Sequence, residues 1–191
     1  MRPSLYGGKN MPKYRNRSSE MHVGLRGRRI VKRRGAVFHT TEGYNSADWL
    51  LNNSYVQGVK VSADFLIERN GDIVQLSPVG WYTFHAGESS WRLFQGSDGT
   101  LNRSHVGIEM ECHSTSGQVI TDPQYIALAA LSRRLMAFHD FGVEGLCLHR
   151  ECALPLGRKS DPPFFSWVVF SREMISPSME AAQYPFPEVL P

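Results

Sequence analysis

Cys147-Leu148-His149-Arg150-Glu151-Cys152-Ala153-Leu154-Pro155-Leu156-Gly157-Arg158-Lys159-Ser160-Asp161-Pro162-Pro163 is the stretch on which the reading of this chain turns. It opens, with Leu146, as a short apolar run of strand type, and Pro155 and Gly157 then break any regular element. Leu146 and Leu148 alternate with Cys147 and His149. If the leucines pack into a core, His149 lies on the opposite face, because strand side chains alternate. The loop beyond carries Lys159 and Asp161. Neutral imidazole and carboxylate are zinc donors, and a catalytic zinc takes three protein ligands and keeps one position open. His149 and Asp161 supply two of these, and His39 is the best candidate for the third. Cys152 is a rival third ligand, although a small buried side chain is the preferred reading of it.

Working outward, Ala36-Val37-Phe38-His39 is another short apolar run, ending in Thr40-Thr41-Glu42-Gly43. It reads as a strand that delivers His39 to its C-terminal end. Ser46 is placed to cap a short helix carrying Trp49, Leu50 and Leu51. Val61, Ala63, Phe65 and Ile67 alternate with Ser62, Asp64, Leu66 and Glu68, and Ile73-Val74-Gln75-Leu76 returns after Asn70-Gly71. An Asn-Gly pair between strand-like runs predicts a two-residue hairpin turn with positive φ at both positions. Residues 77–100, rich in Gly, Ser and aromatics, read as a long surface loop. Val106, Ile108 and Met110 alternate with Gly107, Glu109 and Glu111, which places carboxylates on the second face of a strand. Thr121 and Gln124 form a capping box, with Pro123 in the first turn. Leu128, Leu131, Leu135 and Phe138 then keep helical spacing to a stop at Gly142. A short helix is expected around Phe165 to Met174. Strands with interspersed helices imply an α/β single domain, a central mixed β-sheet flanked by helices.

The chain has 191 residues, a length that suits one domain with residues to spare. Cys112, Cys147 and Cys152 are an odd set without a secretory leader, which fits synthesis in a reducing compartment. No apolar run is long enough to span a bilayer. The net charge of +3 hides an asymmetry. Up to Arg34 the basic residues are Arg2, Lys9, Lys13, Arg15, Arg17, Arg26, Arg28, Arg29, Lys32, Arg33 and Arg34, opposed only by Glu20. Residues 1–28 are therefore expected to form a basic, flexible N-terminal arm, 29–175 the folded domain, and 176–191 a Pro-rich C-terminal tail. A basic arm suits a polyanion such as an anionic wall polymer or membrane surface, and no specific nucleic acid is expected. A monomer is expected.

Glu109, between apolar strand neighbours, becomes a general base if it faces an activated water. Lys159, beside a metal site, can stabilise an oxyanion. His85, in Phe84-His85-Ala86-Gly87, is a loop histidine that can line a cleft and touch substrate.

These residues resemble a family. Val37-Phe38-His39-Thr40-Thr41-Glu42-Gly43, the Val61 to Gln75 hairpin, His85-Ala86-Gly87, Val106-Gly107-Ile108-Glu109-Met110-Glu111 and the opening stretch stand in the order found in zinc-dependent N-acetylmuramoyl-L-alanine amidases. That family includes small phage lysozyme-amidases, bacterial anhydro-muropeptide amidases and animal peptidoglycan recognition proteins. The resemblance runs from about Arg29 to Trp167. It implies one zinc ion (Zn2+) on His39, His149 and Asp161, with Lys159 and Glu109 catalytic. Some phage members use a tyrosine where this chain has Ala63, which turns weight to Glu109. The family often has histidine at the position of Asp64. The implied reaction is hydrolysis of the amide between N-acetylmuramic acid and L-alanine in bacterial peptidoglycan. The basic arm and the lack of a leader imply a phage endolysin, made in the cytoplasm and reaching the wall after holin-type release. The alternatives are a cytosolic muropeptide-recycling amidase, a non-catalytic peptidoglycan-binding module, or a regulator that binds another protein.

Overall fold

A computed structural model of the chain describes residues 13–29, 32–78, 80–92 and 98–175. The strands are β1 (Tyr14–Asn16), β2 (Arg26–Arg29), β3 (Gly35–Thr40), β4 (Phe65–Ile67), β5 (Ile73–Gln75), β6 (Trp81–Thr83), β7 (His105–Met110) and β8 (Leu146–Leu148). Six of them form one mixed sheet in the order β1-β5-β4-β7-β3-β8, and β2 pairs with β6 in a separate ribbon. The centre is parallel: β7 lies against β3 with His39 opposite Glu109, and β8 lies against β3 with Leu148 opposite Phe38. Every residue of β3 and β7 is buried, as expected of parallel strands covered on both faces.

One face carries Ala36, Phe38, Val106, Ile108, Met110, Leu146 and Leu148, and packs on α3 (Asp122–His139) and α5 (Trp167–Ile175). The other face divides. At the β4–β5 side, Leu66, Val74 and Leu76 pack with Leu50, Leu51, Met21 and Leu25. At the β3–β8 side a small cluster of Val37, Ala86, Leu101, Cys147 and Cys152 forms the floor beneath the histidines. The expected α/β domain with a central mixed sheet is therefore what the chain forms.

Differences lie at turns and edges. Only Gly71 of the Asn-Gly pair has positive φ (90°). Glu68 C=O accepts Gly71 N–H at 2.9 Å, and Asn70 Oδ1 accepts Asp72 N–H at 2.9 Å. The connection is thus a three-residue turn closed by a left-handed glycine, not the two-residue form. Gly71→Ala is expected to cost about 1 kcal/mol, read from thermal unfolding, because an L side chain is penalised in that region. The long helix starts as expected: Thr121 Oγ1 accepts Gln124 N–H at 3.3 Å and Gln124 Oε1 accepts Thr121 N–H at 3.0 Å. It ends earlier, at His139, where Asp140 takes the left-handed conformation (φ 58°) expected of Gly142. Aspartate tolerates that conformation through its short polar side chain. Ser46 is the first residue of helix α1 (Ser46–Asp48), which is followed by α2 (Ser54–Val56), and not its cap; its N–H reaches Glu111 Oε1 at 3.4 Å.

The basic stretch also differs from a free arm over residues 13–29. β1 adds to the sheet edge parallel to β5, Arg15 pairs with Glu68, and Arg17 pairs with Glu20 and Asp48. Met21 and Leu25 are buried. Edge strands are held by backbone bonds, so their side chains carry no periodic signal. Residues 1–12 and the tail 176–191 lie outside the described residues.

Candidate metal centre

The parallel strands β3, β7 and β8 deliver their C-terminal ends to one place, as open α/β sheets do at their ligand sites. His39 stands near the end of β3, Glu109 beside it on β7, and His149 begins the short helix α4 (His149–Cys152) directly after β8. Asp161 is brought back by its loop: Arg150 N–H donates to Asp161 C=O at 2.9 Å. Arg158, inside that loop, donates to the carbonyls of Leu154, Ala86 and Glu88 at 2.6, 3.2 and 2.7 Å. His39, His149 and Asp161 thereby present one donor atom each, all within 4.8 Å of one another. His149 Nδ1 lies 3.0 Å and His39 Nδ1 3.4 Å from Asp161 Oδ2.

Hydrogen bonding tests whether this set suits a cation. His149 Nε2 is 3.2 Å from Ala86 C=O. A carbonyl only accepts, so Nε2 carries the hydrogen and Nδ1, facing Asp161, is the nitrogen left to offer a lone pair. Burial pulls His39 down to about 4, with the adjacent His149 adding to it against the nearby Asp161 charge, so its ring is neutral at pH 7. Lone pairs facing an ionised carboxylate repel unless a cation lies between them. Two imidazoles and one carboxylate are, moreover, a catalytic zinc donor set. The residues fit zinc.

Above the triad is a cavity of about 760 Å³ lined by Glu42, Tyr44, Trp49, Lys60 and Phe84 as well as Glu109, Arg158 and Lys159. Glu109 is buried, and its Oε2 has no hydrogen-bond partner among the described residues. Burial pushes its carboxyl up to about 8, with Asp161 and Glu42 adding and Lys159 opposing. That range suits a proton acceptor working near neutrality. Lys159 is exposed on the cavity wall, close enough for its charge to be felt at Glu109 and His39.

The candidate residues His39, Glu109, His149, Lys159 and Asp161 thus line one cavity. His85 also lines it but is not a free substrate contact. It is buried, with one ring nitrogen 3.0 Å from His39 Nε2 and the other 3.2 Å from His105 C=O. Cys152 is buried, its Sγ 3.5 Å from His149 C=O, and it stands outside the triad. Sequence reasoning missed Asn102 and Arg158, whose partners are main-chain groups distant in sequence. Gly107 inside β7 was a readable signal, since a glycine in a strand marks close approach of another group.

A buried carboxyl beside two imidazoles and a second carboxylate, at the carboxyl ends of parallel strands, is the arrangement of an α/β fold with a candidate metal centre. The profile described as N-acetylmuramoyl-L-alanine amidase matches residues 27–163, and the chain belongs to that family. It is 38% identical over 113 residues to the 1,6-anhydro-N-acetylmuramyl-L-alanine amidase AmpD of Salmonella typhimurium strain LT2, covering 59% of this chain and 56% of that protein. The Escherichia coli K12 AmpD is 37% identical over 113 residues, covering 59% and 57%. The match thus spans a little over half the length of these relatives. The crystal structure of a selenomethionine AmpD derivative superposes with a TM-score of 0.65 at 28% identity, over 83% of this chain and 93% of that one. A mutant endolysin from Bacillus subtilis shares the fold, with a TM-score of 0.62 at 20% identity over 86% and 99%.

Proposed function

We propose that the protein hydrolyses the amide bond between N-acetylmuramic acid and L-alanine of peptidoglycan, with one zinc ion on His39, His149 and Asp161. The observation that carries this reading is the convergence of that triad with Glu109 in one cavity, in a chain of the amidase family. Zinc, when bound, supplies a Lewis acid that makes hydroxide available near neutral pH. Glu109 accepts the proton of the attacking water and returns it to the departing L-alanine amine. The Lys159 ammonium lies on the cavity wall, where it favours negative charge developing on the carbonyl oxygen. Arg158 holds the ligand loop against the carbonyls of Ala86 and Glu88.

The names of the curated relatives, 1,6-anhydro-N-acetylmuramyl-L-alanine amidases, support a 1,6-anhydro-muramyl fragment as the substrate, which suits the recycling alternative. A second reading, an endolysin made in the cytoplasm and released onto the wall, is favoured by the basic N-terminal stretch, of which Arg28 and Arg29 stand exposed on β2. In it, those arginines dock on an anionic envelope polymer or membrane surface.

One experiment tests the reaction and the setting. Intact sacculi and soluble anhydro-muropeptides are digested in parallel, with and without chelator, and the products are weighed by mass spectrometry. Free peptides beginning with L-alanine are expected, lost with chelator and regained with zinc. Faster release from soluble fragments supports recycling, and faster release from sacculi supports the endolysin. Sugar-chain cleavage would overturn the bond assignment. Pelleting with the wall without cleavage would make the protein a binding module.

A further inference from the structure

We propose that His85 and Ala86 form a single cradle that orients both histidines of the proposed metal site, with His85 and Asn102 as its positioning residues. The inference rests on the metal reading of His39, His149 and Asp161.

The direction of each hydrogen bond follows from groups that cannot change role. His105 C=O only accepts, so His85 carries its hydrogen on Nε2, 3.2 Å away. With that hydrogen on Nε2, Nδ1 is the nitrogen of the imidazole left to accept. That Nδ1 faces His39 Nε2 at 3.0 Å, so His39 donates there. The remaining nitrogen of His39, Nδ1, is then a lone pair turned toward Asp161 Oδ2 at 3.4 Å. His149 is set in the same way by the next residue, its Nε2–H donating to Ala86 C=O at 3.2 Å. The side chain of one residue and the carbonyl of its neighbour thus fix both rings.

The cradle is itself held. Asn102 Oδ1 accepts the N–H of His85 at 2.9 Å and of Ala86 at 2.8 Å, and Asn102 is buried. Gly107 supplies the socket: a Cβ there would stand 2.5 Å from His85 Cγ. Gly107 lies between His105 and Glu109 on β7, opposite Val37. Partners of this kind fix the tautomer and orientation of metal-bound imidazoles.

The test is zinc affinity, measured by competition with a chromophoric chelator, together with the absorption spectrum of the cobalt(II)-loaded protein. His85→Asn keeps an acceptor near the Nδ1 position facing His39. His85→Gln places its amide near the Nε2 position and keeps only the link toward His105. Zinc affinity is expected to fall about 10- to 100-fold in His85→Gln, with a changed cobalt spectrum, and to stay closer to wild type in His85→Asn. Asn102→Asp, which keeps an acceptor for both N–H groups, is expected to hold the affinity that Asn102→Ala loses. Wild-type affinity in both His85 variants, or equal loss in both, would overturn the proposal. A raised KM with unchanged zinc affinity would make His85 a substrate contact instead. His149→Ala is the separate control: if it binds zinc as tightly as wild type, the metal reading fails first.

Discussion

Glu109→Gln is expected to lower amide hydrolysis by about 10²- to 10⁴-fold, the usual contribution of a positioned proton acceptor, with fold and zinc affinity kept. The substitution conserves volume in a buried position and removes only the ability to take a proton. Glu109 is paired in register with His39 but is not part of the triad, so the proposed metal donors stay intact. The loss should fall on kcat, since the proton transfer belongs to the transition state. A second readout is independent of substrate. The Glu109 carboxyl is held at about 8 in the folded protein against 4.5 in the ordinary state. Between those values the native metal-free protein holds a proton that the unfolded chain has released, so stability falls as pH rises. Below 6.5 the buried histidines act in the opposite sense, because the unfolded chain then binds the protons. The clean window is therefore about pH 6.5 to 8. Across it, metal-free Glu109→Gln should gain stability relative to wild type in urea unfolding. Full activity in the variant, or parallel stability curves across that window, would remove Glu109 from its role.

How far the site was legible depends on which signals side chains carry. His39 and Glu109 sit on strands, and His149 directly follows one, with apolar neighbours that alternate with them, so their common face follows from the strand period. Asp161 needed a second kind of information. Nothing in its spacing from His149 dictates that the loop returns, and the return is made by main-chain bonds such as Arg150 N–H to Asp161 C=O. β1, β2 and β6 were hidden for a related reason. They are three or four residues long, lie at edges or in a two-stranded ribbon, and include charged or aromatic side chains that read as loop. His85 was read as facing the cleft because a histidine in a glycine-rich loop gives no sign of direction. Its direction follows from Gly107, where a missing side chain one strand away leaves room for the ring.

Asp64 stands where the family often has histidine, and its substitution carries the largest expected stability effect. Asp64→Ala should destabilise the fold by about 3–5 kcal/mol, the usual cost of leaving a buried charge without its partner. For a chain of this size that is a melting point lower by roughly 6–20 °C. Arg33 is 4% exposed and Asp64 6% exposed, and they face each other at 3.4 Å. Asp64 Oδ2 also accepts Thr83 Oγ1–H at 2.9 Å and Gly107 N–H at 2.8 Å. Arg33 donates to the carbonyls of Trp81, Asn102 and His105. Removing the carboxylate therefore strands a guanidinium in the interior and frees two donors. Asp64→Asn, which keeps acceptors but not charge, should fall between Ala and wild type. A double change to Arg33→Met and Asp64→Leu should cost less than the two single changes added, since the coupling between them is lost only once. Asp64→Ala within 1 kcal/mol of wild type in urea unfolding would mean that solvent reaches this pair and the network carries little. The same network ends on Asn102, His105 and Gly107, the residues that hold and seat His85. Loss of Asp64 should accordingly weaken zinc binding as well, even at temperatures where the variant remains folded, because the groups that aim His39 would no longer be fixed.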